Sequence, residues 1–353
     1  MYSIYRYILH KNLCKGVSNL TIKDLSAQTG YSVGTISRVL NNQPNVSEKA
    51  RKTILEAARA SGFQLNANAK QLKQQRTNTV LAVVKGRSNE LFGSLIEVMQ
   101  EKMRELPYPL VVHYLDEDDN EVLRGAQLFR EKKPRGMLFL GGNLENFRTY
   151  FPEIDVPCVL VTNDASALAD PGLSSVTTDD KTAGYLAVEH LARLGHRRIA
   201  IIGGCRGVSD ISGLRFRGCL EAMEQYGISF DSERDYFEGR FSFRDGYRAV
   251  ETLLANDRQF TAIFAMADVM AIGAIRALQD KGLRVPEDVS VIGLDGLDIG
   301  EYMLPRLSTV RQSVDQLAQQ SVALLRQQIE ENAKVEYQTI LPEVICKEST
   351  QKI

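Results

Sequence analysis

The sequence predicts an α/β protein in which a small helical head of the helix-turn-helix kind precedes a larger body of parallel sheets in two lobes. Three observations predict it. Residues 21–65 place apolar side chains at helical spacing between cap and turn residues, residues 66–78 have almost no apolar face, and from residue 79 onward short β-rich runs alternate with amphipathic stretches. The 353 residues suffice for two or three full cores, and 44% hydrophobic with 25% charged residues is ordinary water-soluble composition. No apolar run approaches the roughly 18 residues of a membrane span, and MYSIYRYILH is too short and too polar for the apolar core of a secretion signal. Five scattered cysteines without metal-ligand spacing fit structural packing in a reduced cytoplasm.

Charge separates the two parts. Residues 1–76 hold 12 Lys and Arg against 3 Asp and Glu, a balance of +9, which leaves 31 against 41, or −10, for residues 77–353. The head is therefore the part suited to a polyanion, and the body is not.

Residues 1–20 carry aromatic and basic residues without a period. They read either as a translation start placed too early, with the true start near Val17, or as a basic arm. The Thr21 hydroxyl can accept from the free N–H groups of a helix start, and Ile22 and Leu25 give that helix its buried edge. Gly30 marks a tight turn, because only a residue without Cβ takes a positive φ cheaply. Ser32 can then cap a second helix. In it Ile36, Val39 and Leu40 face inward, which leaves Val33, Gly34, Thr35, Ser37 and Arg38 outward, as insertion into a major groove requires. A third helix, introduced by Asn45 and Ser47 and stopped by Gly62, repeats Ala50, Ile54, Ala57 and Ala58 at helical spacing. Short helix pairs also occur in ordinary cores, so the concentrated basic charge is what points to nucleic acid. The segment that follows, NANAKQL, is too short and polar to hold a helix in water, and needs a partner to order it.

In the body, runs at 80–84, 110–114, 136–140, 158–161, 199–202, 262–265 and 289–293 read as strands. Amphipathic stretches at 91–106, 121–132, 182–194, 214–226, 244–255, 270–281 and 314–331 read as the helices between them. The alternation implies βαβ units, too many for one sheet. A ligand of such a fold sits at the carboxyl ends of the strands, here between two lobes.

Five stretches, in order, resemble the lactose-repressor and galactose-repressor (LacI/GalR) family of transcription regulators. They are TIKDLSAQTGYSVGTISRVLNNQPNVSEKAR, NANAKQLK, TTDDKTAGYLAVEHLARLGHRRIAIIGG, AIFAMADVMAIGAIRALQDKGLRVPEDVSVIGLDG, and LSTVRQSVDQLAQQSVALL followed by LPEVICKES. The resemblance implies a helix-turn-helix head at 21–65, a hinge helix and linker at 66–78, an effector-binding and dimerisation body of the periplasmic-binding-protein type at 79–346, and a tail at 347–353. It places Val33, Gly34 and Arg38 against base edges. Arg38 can pair bidentately with guanine, whereas Val33 and Gly34 offer only a methyl contact or close backbone approach. Thr21 joins the DNA-binding set, and Ser32, Thr35, Ser37 and Asn41 join it as phosphate contacts, with capping or turn formation as the competing role. Leu72 matches the leucine that wedges into the minor groove, and Leu65 stands where the family usually has Pro.

For the effector the resemblance implies Arg215 as a donor to ring hydroxyls or a carboxylate, and Asp295 as an acceptor. It adds Phe241 and Phe92 as stacking aromatics, Thr162 at the cleft end of a strand, and Asp268. Ala267 stands where the family commonly has Asn, so one amide for ligand hydroxyls is missing. The implied partners are a palindromic double-stranded operator, a second copy of the chain, and a small molecule. A sugar or sugar derivative leads, with a purine as the alternative. No cofactor, metal or membrane partner is expected. A secreted solute-binding protein would share the body but lacks a reason for the basic head. An enzyme would need a motif such as GxSxG or a Walker loop, and Gly141-Gly142 and Gly203-Gly204 do not continue as GxGxxG.

Overall fold

The computed structural model describes residues 22–40, 46–61, 77–87, 89–168, 172–206, 210–255 and 259–353. The chain divides into two compact units, Met1–Gln75 and Arg76–Ile353. The expectations for Thr21, Asn41, Asn45, Gly62, Leu65, Leu72 and the hinge segment lie outside the described residues.

In the first unit α1 (Ile22–Thr29), α2 (Val33–Leu40) and α3 (Glu48–Ala60) pack through Leu25, Ile36, Val39, Ile54 and Ala58, all of them buried. Each fully buried Leu, Ile or Val is worth about 1.5–3 kcal/mol, so this core holds three short helices with little to spare. Gly30 takes φ 74° at the turn, as its lack of a Cβ allows. The Ser32 hydroxyl accepts from Thr35 N (3.2 Å), and the Ser47 hydroxyl accepts from Ala50 N (3.4 Å), so each of the two later helices starts on a side-chain cap. At the end of α3, Ser61 donates to the carbonyl of Ala57.

The second unit begins with β1 (Val80–Lys85), α4 (Glu90–Met103), β2 (Leu110–Leu115), α5 (Glu121–Lys132), β3 (Gly136–Leu140), α6 (Leu144–Tyr150), β4 (Cys158–Val161) and β5 (Leu173–Thr178). It continues with α7 (Asp180–Arg193), β6 (Ile199–Gly203), α8 (Asp210–Gln225), β7 (Tyr236–Glu238), α9 (Phe243–Ala255), β8 (Ala262–Ala265), α10 (Asp268–Asp280), β9 (Ser290–Asp295) and β10 (Ser308–Arg311). It ends with α11 (Val314–Glu331), β11 (Tyr337–Ile340) and β12 (Glu343–Ile345).

These strands form two six-stranded sheets, ordered β11-β5-β4-β3-β1-β2 and β12-β10-β9-β8-β6-β7. Every pairing is parallel except β10 with β12. The alternation read from the sequence is therefore a pair of doubly wound lobes with helices on both faces. The lobes are not two consecutive pieces, because the chain crosses between them after β5, after β10 and again between β11 and β12. The helix α11 packs on α4 in the first lobe although it follows the last parallel strand of the second.

Five strands escaped the sequence reading, and β5 shows why. Its residues LSSVTT are all buried, yet four are hydroxyl-bearing. Each hydroxyl is used. Ser174 accepts from Gln328 Nε2 (2.7 Å), Ser175 accepts from Ala165 N (3.0 Å), Thr177 donates to the Thr162 carbonyl (2.9 Å) and Thr178 donates to Gln312 Oε1 (2.8 Å). A buried strand whose polarity is satisfied by distant partners shows no apolar run.

The last residues also differ from expectation. Residues 347–353, set apart as a tail, are stitched into the second lobe. Val291 N donates to the Ser349 carbonyl (2.7 Å), the wholly buried Ser349 hydroxyl donates back to Val291 O (2.6 Å), and Ile353 N donates to Leu194 O (3.0 Å).

Candidate functional site

Two sets of residues stand out, one on each unit. On the head, the eight residues of α2 rise about 12 Å, which suits a major groove of about 12 Å width. Ile36 and Val39 are buried beneath it. Val33, Gly34 and Arg38 are exposed, and Thr35 and Ser37 are half-buried. Val33 keeps 41% of its surface exposed on a helix whose other large apolar residues point inward, so its place on the outer face is not explained by the core. The Ser32 and Thr35 hydroxyls lie 2.9 Å apart in a hydrogen bond. The capping role weighed for Ser32 is thus realised, with both hydroxyls at the open start of the helix.

On the body, a cavity of about 270 Å³ opens at the carboxyl ends of the strands of both sheets. From the first lobe it takes Lys85 at the end of β1 and Asn89 after it, Phe92 on α4, Glu117 after β2, Asn143 after β3, and Thr162 and Asn163 after β4. From the second lobe it takes Arg215 on α8, Phe241 after β7, Ala267 after β8, Asp295 at the end of β9 and Gln312 after β10. Five of the six expected effector residues therefore converge: Phe92, Thr162, Arg215, Phe241 and Asp295.

Strain marks two of them. Among the described non-glycine residues four have positive φ; Lys133 and Asn332 cap helix ends, and the other two are Thr162 (φ 76°) and Asp295 (φ 132°). A β-branched residue in this region costs on the order of 1–3 kcal/mol, and such strain clusters where a side chain must be aimed. Both aim at the cavity.

The guanidinium of Arg215 is held from two sides, donating through Nε to Asp180 Oδ1 (2.8 Å) and through Nη1 to the Met266 carbonyl (2.7 Å). Helices α7 and α8 approach closely enough to make this pair because Gly184 has no side chain: a Cβ there would lie 1.9 Å from the Arg215 carbonyl oxygen. Asp295 accepts from Gln312 Nε2 (2.8 Å), while Gln312 N donates to the Asp295 carbonyl (3.0 Å). Burial pushes the Asp295 carboxyl up to about 7; Arg215 pulls it down and Asp268 pushes it further up.

Asp268 departs from expectation. It is wholly buried and absent from the cavity lining. Its Oδ2 accepts from Gly296 N (2.8 Å) and Leu297 N (2.7 Å), and its Oδ1 from the Thr309 hydroxyl (2.7 Å). The carboxylate is spent on the turn after β9, so it steadies Asp295 rather than meeting a ligand. Burial raises it to about 6.

The sequence reading missed Gln312, Lys85, Asp180 and Glu121. Lys85 Nζ donates to Glu121 Oε2 (2.7 Å), and Glu121, wholly buried, also accepts from Asn143 N (2.7 Å). Gln312 links Thr178 of the first lobe to Asp295 of the second at a crossing point of the chain. No sequence signal marked it, because the strand before it, β10, reads Ser-Thr-Val-Arg and shows no apolar run.

Among known proteins, residues 21–66 match the bacterial regulatory proteins, lacI family, and residues 188–350 match a periplasmic binding protein-like domain. The chain is 33% identical over 316 residues to the HTH-type transcriptional regulator MalR of Clostridium butyricum, covering 87% of this chain and 92% of that one. It is 30% identical over 342 residues to the HTH-type transcriptional repressor PurR of Mannheimia succiniciproducens, covering 94% and 99%. Among solved structures, the transcriptional regulator CelR in complex with cellobiose is similar with a TM-score of 0.68 at 25% identity, covering 94% of this chain and 99% of that chain.

Proposed function

The chain belongs to the lacI family of bacterial regulatory proteins, and on that premise we propose that it is a repressor whose hold on a palindromic operator is set by a sugar or sugar derivative in the body cavity. The meeting of Thr162, Arg215 and Asp295, from both lobes, in one cavity is the observation that supports an effector site there. CelR, similar along nearly its whole length, is a complex with cellobiose, which supports a carbohydrate ligand.

In this reading the outward face of α2 enters the major groove. Arg38 reads a guanine, Val33 and Gly34 limit what else can be read, and Ser32, Thr35 and Ser37 set position on phosphates. Thr21, Asn41 and Leu72 keep their assigned contacts as part of the proposal. The body works as a hinge. A ligand held by both lobes changes the angle between them, and the three chain crossings, including the one at Gln312, carry that change. Coupling of this kind amounts to about 1–3 kcal/mol. The protein acts as a homodimer in the cytoplasm. Tyr302 (89% exposed) and Leu304 (84%) offer apolar surface of the sort a second copy covers. No residue is assigned a catalytic role.

The test is retardation of the gene's own upstream DNA by the full chain over a salt series, with and without candidate sugars. Specific binding with a steep salt slope, altered by one sugar, is the expected result. A chain that prefers no DNA over random sequence under any of these conditions would sink the proposal.

A further inference from the structure

Resting on the reading of the cavity as a sugar site, we propose that the cavity admits only polyhydroxyl rings that carry no negative charge, and that it rejects sugar phosphates and sugar acids. Two cations line it, Lys85 and Arg215, and both are already neutralised by carboxylates buried behind the wall: Lys85 by Glu121 at 2.7 Å and Arg215 by Asp180 at 2.8 Å. Glu121 and Asp180 are themselves almost inaccessible, so an arriving anion would have to compete with partners whose desolvation the fold has already met.

The acids of the wall have no such balance. Asp295, Glu90 and Glu117 all line the cavity. Asp295 is hydrogen-bonded by the neutral amide of Gln312 and feels an Arg215 that is already paired with Asp180, and Glu117 has Arg240 3.9 Å away, itself also bonded to Asp118. With their partners included, three cations (Lys85, Arg215 and Arg240) face six carboxyl groups, of which Asp295, raised to about 7, is only partly charged near neutral pH. A low-dielectric cleft with that excess focuses negative potential on its contents. An anion beside the ionised Asp295 carboxylate would meet a like charge, which weakens binding.

The rim repeats the sign. Residues 116–119 read Asp-Glu-Asp-Asp directly after β2, and two arginines near them are engaged, Arg87 with Asp116 at 3.0 Å and Arg240 with Asp118 at 3.2 Å. The volume of about 270 Å³ is that of about nine liquid waters. That is the scale of one sugar ring, with Phe92 and Phe241 supplying apolar area for its C–H faces.

The test is calorimetric titration of the full chain with matched sets: glucose, glucosamine, glucose 6-phosphate and glucuronate; the galactose and mannose counterparts; and ribose with ribose 5-phosphate. The parent sugar or its amine that binds should do so roughly tenfold or more tighter than its phosphate or acid. A phosphate or acid that binds as tightly as its parent overturns the proposal. The doubly substituted Glu117→Gln, Asp118→Asn chain, and salt raised to about 0.5 M, should each narrow that ratio by roughly two- to fivefold. A ratio moved by neither would overturn the electrostatic basis. A chain that answers to none of these sugars but still retards its operator refutes the carbohydrate reading itself, a distinguishable result.

Discussion

The recognition helix and the cavity handle charge in opposite ways. On α2, Arg38 is exposed on the outer face of a small core, and its chemistry is available to whatever the helix meets. In the cavity, Arg215 and Lys85 are tied to carboxylates before any ligand arrives. The first arrangement suits a partner that brings its own abundant negative charge. The second suits a ligand recognised by shape and hydroxyl direction, because a neutralised guanidinium still donates hydrogen bonds in a fixed plane. One family of side chains thus serves as a free charge in one unit and as a positioned donor in the other.

Four substitutions would break or sharpen that contrast, from the largest effect to the smallest. Asp180→Ala strands the Arg215 guanidinium in the body without its partner, so unfolding free energy of the body should fall by about 3–5 kcal/mol in a denaturant titration. A loss under about 1 kcal/mol would mean that Arg215 is not held in the way described. Arg38→Ala leaves no buried group unpaired. Thermal stability should hold while preference for operator over random DNA drops by about 1–3 kcal/mol, measured by competition binding; an equal loss on both DNAs would mark Arg38 as a phosphate contact.

Asp295→Asn tests the cavity by pH. The carboxyl is raised from 3.8 to about 7 in the folded protein, so the folded state keeps its proton longer than the unfolded chain. The stability this contributes is present in full below about pH 4 and is lost as pH rises through 7. Asparagine has no proton to lose. The melting temperature of the variant relative to the parent should therefore climb between pH 5 and pH 8, and a constant difference would show that the carboxyl titrates normally. Smallest is Ser47→Ala, which removes the cap of α3 and should destabilise the head by about 1 kcal/mol with the body transition unmoved, as seen by far-UV circular dichroism on melting.

Legibility follows the same division. The head's buried Leu25, Ile36, Val39 and Ile54 were readable because a helix brings i, i+3 and i+4 to one face, and the caps at Ser32 and Ser47 lie within three residues of what they bond. Of the cavity, Asp295 was readable because it sits in one of the five resembling stretches, whereas Arg215, Thr162 and the two aromatics lie between those stretches and were placed only by matching the family's overall order. For Asp268 the structure favours a role on the backbone over the effector role. Nothing in AMADVMA shows that its carboxylate turns toward Gly296, Leu297 and Thr309, 28 to 41 residues away. The strand β5 was missed because its hydroxyls are satisfied by partners outside its own sequence, and the tail because its pairing with Val291 is equally remote.

By itself the sequence determined the helical head with its basic charge, the alternation of strands and helices, and the acidic balance of the body, all of which depend on residue type and short-range spacing. Only the tertiary structure decided the electrostatic character of the cavity. Whether Lys85 and Arg215 invite an anion depends on Glu121, 36 residues from one, and Asp180, 35 residues from the other. Coulomb interaction and desolvation are set by separation in space and by burial, which the fold creates and the order of residues does not display.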